Sequence, residues 1–199
     1  MLTDQQLDVF RELASIGAGH AATALSQLVD RRVVITCPEL RLIPTDEVSY
    51  SLGGPETLVA AIYVRVLGDA RGALVFVLDH DSACALAGML KGGPPVKALS
   101  DPDHELLKQA GHMLLSAFIN ALSRTAQIAM VPSSPAYSHD MFGGILQSVV
   151  AETEGYAEET VLIDADFLED EEHSITGRLF FMPEPGSMEI VTHAMGVDA

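Results

Sequence analysis

The chain has 199 residues, of which 48% are hydrophobic and 20% are charged, and its formal net charge is -17. This length and composition predict one compact domain with a substantial core and exclude a disordered protein. The negative charge argues against binding nucleic acid or an anionic membrane surface, because it repels phosphate groups.

The N-terminal sequence MLTDQQ carries an acid where a signal peptide carries bases, and no run of about 18 apolar residues follows. We therefore expect a cytoplasmic protein with no membrane insertion. The two cysteines, Cys37 and Cys84, lie in apolar surroundings without a Cys-x-x-Cys or Cys/His pattern. This predicts buried thiols and not a disulfide or a metal site.

Acidic residues are concentrated after Arg124. Up to this residue there are 14 acids and 10 bases, a net charge of -4, whereas beyond it 14 acids face Arg178 alone, a net charge of -13. Most of these acids lie in AETEGYAEET (151–160) and FLEDEEH (167–173). We interpret both segments as solvated strand edges and loop tips, with a docking surface as the alternative.

The first predicted element is a long helix over residues 4–28. Thr3 and Gln6 have the spacing of a capping box, and apolar residues recur at helical intervals behind them. Strands are predicted at 57–66 and 71–78, followed by a short helix at 81–92. The segment KGGPPVK, residues 91–97, is the predicted linker.

The second half repeats this order. Asp101 as N-cap and Pro102 as first helical residue predict a second long helix to about residue 125. Strands at 159–168 and 176–183 and a short helix at 186–196 follow. An offset of 97 residues places Ala24-Leu25-Ser26 on Ala121-Leu122-Ser123.

The repeat predicts a duplicated helix–three-strand–helix module, with copies at about 1–97 and 98–199 related by a pseudo-twofold axis within a single domain. Because strands are grouped between helices instead of alternating with them, the fold class is α+β. We expect one shared, mostly antiparallel sheet with helices covering one face.

Each predicted long helix carries a polar triad at spacings of four and three residues, which puts the three side chains on one face. A proline follows each triad after 23 residues. One such stripe is typical of the solvated face of an amphipathic helix, but two with equal spacing favour a function. The positions are Asp8, Glu12, Ser15 and Pro38 in the first copy, and Glu105, Gln109, His112 and Pro135 in the second.

This pattern resembles the CheC/CheX/FliY family of chemotaxis phosphatases, in which an Asp or Ser is followed by Glu, Asn and Pro at the same offsets. The run ASIGAGHAATALSQL is similar to the CheC branch, and the resemblance spans essentially the whole chain. It implies a protein that binds a phosphorylated CheY-type response regulator and hydrolyses its aspartyl phosphate. The Mg²⁺ of this reaction belongs to the regulator, so we expect no cofactor of the chain's own.

The resemblance also implies roles for the first triad. Glu12 corresponds to the acid that pairs with a lysine of the regulator, and Ser15 stands where an asparagine orients the attacking water. These two are the catalytic candidates, and Asp8 is accessory. A serine hydroxyl ends nearer the backbone than an amide and has a rotating proton, so we expect weaker positioning of water.

The second triad departs further from the family pattern. Gln109 has the length of a glutamate but no charge, so it cannot form an ion pair with a lysine. His112 either orients water or is a stacked or partly buried histidine. We interpret Glu105 and Gln109 as surface groups. Because both copies lack the asparagine, the alternative function is a non-catalytic binding or adaptor protein for a response regulator or for a CheD-type receptor deamidase.

Other polar groups are weaker candidates. The segments Asp79-His80-Asp81 and His139-Asp140 each place potential metal ligands together. Adjacent residues rarely converge on one ion, however, so we predict no metal site. His20, within the segment GAGHAA, is expected to pack in a helix interface.

Overall fold

The helices and strands follow the predicted order, with a long helix first in each half. The computed structural model describes residues 3–35, 39–152, 155–168 and 174–197. The first half contains α1 (Asp4–Val29), β1 (Val34–Ile35), β2 (Glu39–Pro44), a 3-10 helix (Thr45–Leu52), β3 (Leu58–Gly68), β4 (Gly72–Asp79) and α2 (His80–Leu90). The second half contains α3 (Asp101–Ala126), β5 (Met130–Pro132), β6 (Ala136–Met141), α4 (Phe142–Ala151), β7 (Glu159–Leu168), β8 (Ser174–Pro183) and α5 (Ser187–Ala194).

Of the two N-caps predicted for the long helices, one is correct and one is wrong. The capping box of Thr3 and Gln6 at the start of α1 is confirmed. The N-cap of α3 is Ser100 and not Asp101. Asp103 accepts a hydrogen bond from the Ser100 backbone N–H at 3.0 Å, as part of a capping box between these two residues. Hydrogen bonds from Lys91, and to a lesser extent from Ser100, stabilise the ionised carboxylate of Asp103 and lower its pKa to about 2.

The two long helices also end alike. The C-cap residues Asp30 of α1 and Gln127 of α3 both have left-handed backbone angles, with φ of 51° and 54°. Left-handed geometry is uncommon outside glycine, and these two residues are 97 positions apart. The match agrees with the predicted offset, while the duplication of the chain stays a prediction.

All eight strands join one sheet in which every described pairing is antiparallel. The order is β1-β7-β8-β4-β3-β5, with β2 also paired to β7 and β6 to β3. This confirms the predicted antiparallel sheet, although the described part of each half has four strands and not three. The short strands are exchanged: β2 of the first half pairs with β7 of the second, and β6 pairs with β3.

An ion-pair cluster crosses the boundary between the halves. Asp164 on β7 accepts from Arg178 Nε on β8 at 2.6 Å, and its other oxygen pairs with Arg41 on β2. Arg178 Nη1 also donates to the Ser51 carbonyl of the 3-10 helix at 2.9 Å. Because Arg41 and Ser51 belong to the first half, this cluster attaches them to the second.

Helices cover both faces of the sheet. The larger core lies between one face and α1, α2, α3 and α5. On the other face, Phe142 of α4 contacts Phe180 of β8 with ring centroids 5.6 Å apart, and Val48 of the 3-10 helix is fully buried. The sequence analysis missed both of these helices, because Gly143-Gly144 and the segment TDEVSYSL have the composition of turns.

Other predictions concern the thiols, the acidic segments and the membrane. Cys84 is buried and unbridged, as predicted, while Cys37 and residues 169–173 of the second acidic segment lie outside the described residues. None of the helices in the described ranges combines the length and apolar character that a membrane crossing requires.

Glycines let α3 pack closely on its neighbours. A Cβ atom at Gly17 of α1 would lie 2.5 Å from the ring of Phe118 on α3, and one at Gly111 of α3 would lie 2.6 Å from Ile62 on β3. Phe118 is buried and Ile62 is fully buried, so an added methyl group at either glycine would force a packed side chain or the helix itself to shift. The small residues of the two long helices therefore serve close packing.

We expect Gly17→Ala to lower the free energy of unfolding by about 1–3 kcal/mol, because the added methyl overlaps the Phe118 ring. Gly19→Ala is the matched control: its Cβ meets nothing within 4 Å, so the better helix propensity of alanine should raise stability by up to about 1 kcal/mol. Urea denaturation of both variants measures the difference. Equal stability of the two would contradict the proposed close contact.

Candidate functional site

The polar triad of α1 faces solvent. Asp8, Glu12 and Ser15 are all exposed, whereas Leu13 and Gly17 on the opposite side of the helix are buried. The spacing of four and three residues therefore produces the single open stripe that the sequence predicts. An approaching protein surface can reach all three side chains.

The charges of this stripe are not equivalent. Arg11 Nη1 donates to Asp8 Oδ1 at 2.7 Å, so the Asp8 charge is compensated within the helix. The Glu12 carboxylate, by contrast, forms no hydrogen bond or ion pair with any residue that the structure describes. Glu12 is thus the acid of the triad that is available to a cation from outside.

The hydroxyl of Ser15 is already used within the helix. Ser15 Oγ donates to the Arg11 carbonyl oxygen at 2.9 Å. A hydroxyl has one proton and two lone pairs, so in this geometry Oγ retains only its acceptor capacity. It can accept a hydrogen bond from a water molecule, but it cannot donate one while the bond to Arg11 is kept.

A groove of about 380 Å³ opens beside Ser15, between α1 and the segment that leads into β1. Ser26 fixes this segment to the helix: its Oγ accepts from the Val33 backbone N–H at 2.9 Å, and its carbonyl accepts from Arg31 N–H at 3.2 Å. The groove therefore has a defined second wall. Its lining residues are Ser15, Ala18, Gly19, Ala22, Arg32, Val33 and Val34.

The second triad lies on a separate stripe of α3 and is partly engaged. Gln109 Nε2 donates to Glu105 Oε1 at 3.1 Å, and Lys108 lies 3.9 Å from the same carboxylate. Both triad residues are exposed, as the surface interpretation predicts. His112 is half-buried, which leaves both of its interpretations open. Pro135 is half-buried between β5 and β6, and Pro38 lies outside the described residues.

Comparison with known sequences finds relatives that extend over most of this chain. No protein-family model matches the sequence. The CheY-P phosphatase CheC of Bacillus subtilis is 29% identical over 201 residues, covering 98% of this chain and 96% of that protein. The flagellar motor switch phosphatase FliY of the same organism is 30% identical over 137 residues, which cover 69% of this chain and 33% of FliY.

CheC and FliY are relatives of this chain in sequence. Solved structures show the same fold: FliY of Thermotoga maritima superposes with a TM-score of 0.83 at 18% identity, over 98% of each chain. A chain of the CheX-CheY-BeF3-Mg complex of Borrelia burgdorferi gives a TM-score of 0.52 at 12% identity, over 84% of this chain and 95% of that chain. The CheC/FliY fold is thus present along nearly the full sequence.

Sequence reasoning missed one cluster of three histidines. His80 at the start of α2 and His139 on β6 lie with Nδ1 and Nε2 3.3 Å apart, and the His104 ring of α3 meets His139 edge-on at 5.6 Å. The three residues come from different elements. Strands β6 and β4 both pair with β3, which brings His139 close to His80, the residue that follows the end of β4, and α3 with His104 packs against the same strands. Sequence spacing carries no signal of this kind.

The histidine cluster does not change the prediction that the chain has no metal site. Within the described ranges, no group of three or more His, Cys, Asp or Glu side chains is placed to hold a metal ion. The absence of an intrinsic metal site stays a prediction.

The prediction that His20 packs in a helix interface is wrong. His20 is exposed, because the buried side of α1 at this level is formed by Ala18, Ala21 and Ala22.

Acidification is expected to destabilise the protein through His139. Burial, together with the nearby His80 and His104, lowers the pKa of His139 from 6.5, although Asp140 acts in the opposite direction. The unfolded chain therefore takes up this proton first as the pH falls below about 6.5. The free energy of unfolding should fall in this range, by at most about 1.4 kcal/mol per pH unit for one proton.

Urea denaturation between pH 7.5 and 5.5 tests this effect. His139→Gln should flatten the pH dependence, because glutamine does not titrate. His20→Gln, which replaces an exposed histidine on α1, is the matched control and should leave the pH dependence unchanged. Parallel curves for the wild type and His139→Gln would remove His139 as the cause.

Proposed function

We propose that this protein binds a phosphorylated CheY-type response regulator and weakly hydrolyses its aspartyl phosphate. The observation that carries the proposal is the exposed α1 stripe, on which Glu12 is uncompensated and Ser15 lies one turn further along. The similarity to CheC over 98% of the chain supports the same assignment. The CheX-CheY-BeF3-Mg complex supports a receiver domain as the kind of partner for this fold.

In the proposed complex, Glu12 binds a lysine of the regulator. An exposed carboxylate without an internal partner loses no existing contact when it forms this ion pair. The charge pair would orient the regulator's phosphorylated aspartate toward the stripe. Glu12 is therefore a docking residue whose removal should weaken recognition and turnover together.

The proposed chemistry is attack of a water molecule on phosphorus, in line with the acyl phosphate bond. The phosphorus–oxygen bond to the aspartate breaks, and the products are inorganic phosphate and a free carboxylate. Magnesium bound by the regulator supplies charge neutralisation. The Ser15 Oγ accepts a hydrogen bond from the attacking water, which restrains that water's orientation. No cofactor of the chain's own is required.

Glu12→Lys should abolish any acceleration of regulator dephosphorylation, because the new ammonium repels the regulator's lysine. Release of inorganic phosphate at fixed Mg²⁺ measures the rate. Glu105→Lys makes the same charge change at an exposed residue of the second stripe and should retain the wild-type rate.

If Glu105→Lys and not Glu12→Lys abolishes the acceleration, the working stripe is the one on α3. If the wild type and buffer give equal decay rates, the protein is not a phosphatase for that regulator.

A second candidate function is binding without catalysis. The observation that favours it is the hydrogen bond from Ser15 Oγ to the Arg11 carbonyl, which leaves the serine without a free proton for water. Such a protein would sequester the regulator or act as an adaptor. A CheD-type receptor deamidase is the alternative partner, and we assign no residue to that contact.

Ser15→Asn separates the two candidates. The amide reaches further from the helix and offers both donors and an acceptor, so it should increase the dephosphorylation rate by about tenfold to a hundredfold. A wild type with measurable activity supports the weak phosphatase, and activity only in Ser15→Asn supports the binder. No gain in the variant would contradict the assigned role of position 15.

A further inference from the structure

We propose that Arg32 binds the phosphoryl oxygens of the regulator's aspartyl phosphate when the regulator is docked on the α1 stripe. This inference rests on the function proposed above and adds a specificity-determining residue to it. Arg32 lies on the wall of the groove that Ser15 also lines. Sequence reasoning did not single it out, because it lies outside both triads.

The guanidinium of Arg32 is available for a ligand. Its side chain is exposed, and it forms no ion pair or hydrogen bond with the residues that the structure describes. Arg11 and Arg41, by contrast, are each paired with an aspartate. A planar guanidinium offers parallel N–H donors that match two oxygens of a phosphoryl group.

The position of Arg32 relative to the helix is fixed by its neighbours in the chain. The carbonyl of Ser26 accepts from Arg31 N–H, and the Ser26 hydroxyl accepts from Val33 N–H, so the backbone on both sides of Arg32 is attached to α1. The side chain remains free to adjust while its origin is held next to the groove. This combination suits a residue that must meet an incoming ligand.

The groove has room for an anion. Its helical wall consists of small residues between Ser15 and Ala22, and a Cβ built at Gly19 meets nothing within 4 Å. An anion is repelled by a chain of net charge -17, so the unpaired Arg32 on the wall of this groove distinguishes it electrostatically.

The second copy lacks an arginine at the corresponding position. With the offset of 97 residues, Ala129 occupies the position that corresponds to Arg32, and the backbone there is anchored by the equivalent serine, Ser123, whose hydroxyl donates to the Ile128 carbonyl at 2.6 Å. The anchor is thus present in both copies, whereas the arginine at this position is present in the first copy alone, on the groove that Ser15 lines. This assigns phosphoryl recognition to the first site.

The test compares binding to one CheY-type regulator of the source organism in two states. Beryllofluoride with Mg²⁺ gives a stable substitute for the aspartyl phosphate, and the untreated regulator lacks it. Arg32→Ala should weaken binding of the beryllofluoride form by about tenfold to a hundredfold, because a charge-assisted contact is lost. Binding of the untreated form should change by less than about twofold, as expected for a residue that contacts only the phosphoryl group.

Two further variants make the outcome specific. Arg124→Ala removes the same kind of side chain from an exposed position on α3 and should bind both forms like the wild type. Arg32→Lys keeps the charge but not the planar donor pair, so its affinity should lie between those of the wild type and Arg32→Ala. Thermal unfolding of each variant checks that the fold is retained.

The outcomes separate the inference from the function on which it rests. If the wild type prefers the beryllofluoride form and Arg32→Ala keeps that preference, the role of Arg32 is overturned while the proposed function stands. If the wild type binds neither form, the proposed function and the inference both fail. Equal weakening of both forms by Arg32→Ala would also overturn phosphoryl recognition, because the residue would then contact another part of the regulator.

Discussion

The close contact of α1 with α3 at Gly17 is the constraint on which the proposed site depends. A helix has one rotational setting in which its small residues meet a neighbour, and that setting determines which residues face solvent. With Gly17 against Phe118, the opposite side presents Glu12 and Ser15. A rotation of α1 that relieved this contact would also turn the polar stripe toward a different direction. The chemistry of the exposed side is therefore set by packing on the buried side.

The exchanged strands explain how two similar halves can differ in function within one stable fold. Because β2 pairs with β7 and β6 pairs with β3, each half adds a strand next to a long strand of the other half in the shared sheet. The features that hold the long helices in place, including the left-handed caps and the serines at 26 and 123, are present in both halves. The exposed stripes are not under this structural constraint. They can differ without loss of the fold, and the Glu105–Gln109 hydrogen bond on α3 is an example of such a difference.

Features that are specified by neighbouring residues could be predicted from the sequence. Features that depend on contacts between distant segments of the chain could not. The capping box at Thr3, the two long helices and the four long strands carry their own signals in caps and periodicity. The helix α4 was missed because two glycines in its first turn are typical of a loop, and packing against the sheet overrides that preference. His20 was placed wrongly because its small neighbours indicate an interface without saying which side of the helix forms it. The position of Arg32 beside Ser15 depends on the turn after α1, which residue spacing alone does not show.

The net charge and the local charges of the site act over different distances. At physiological ionic strength, interactions between exposed charges are screened beyond about 8 Å, so the overall charge of -17 affects mainly the approach of a partner. Within contact distance, the uncompensated groups matter. Among the residues that the structure describes, the surface around Ser15 offers a group of each sign, the Glu12 carboxylate and the Arg32 guanidinium. The proposed ligand presents the complementary pair, a lysine and a phosphoryl group. Orientation in the complex then depends on two contacts of opposite sign, which a surface of uniform negative charge cannot supply.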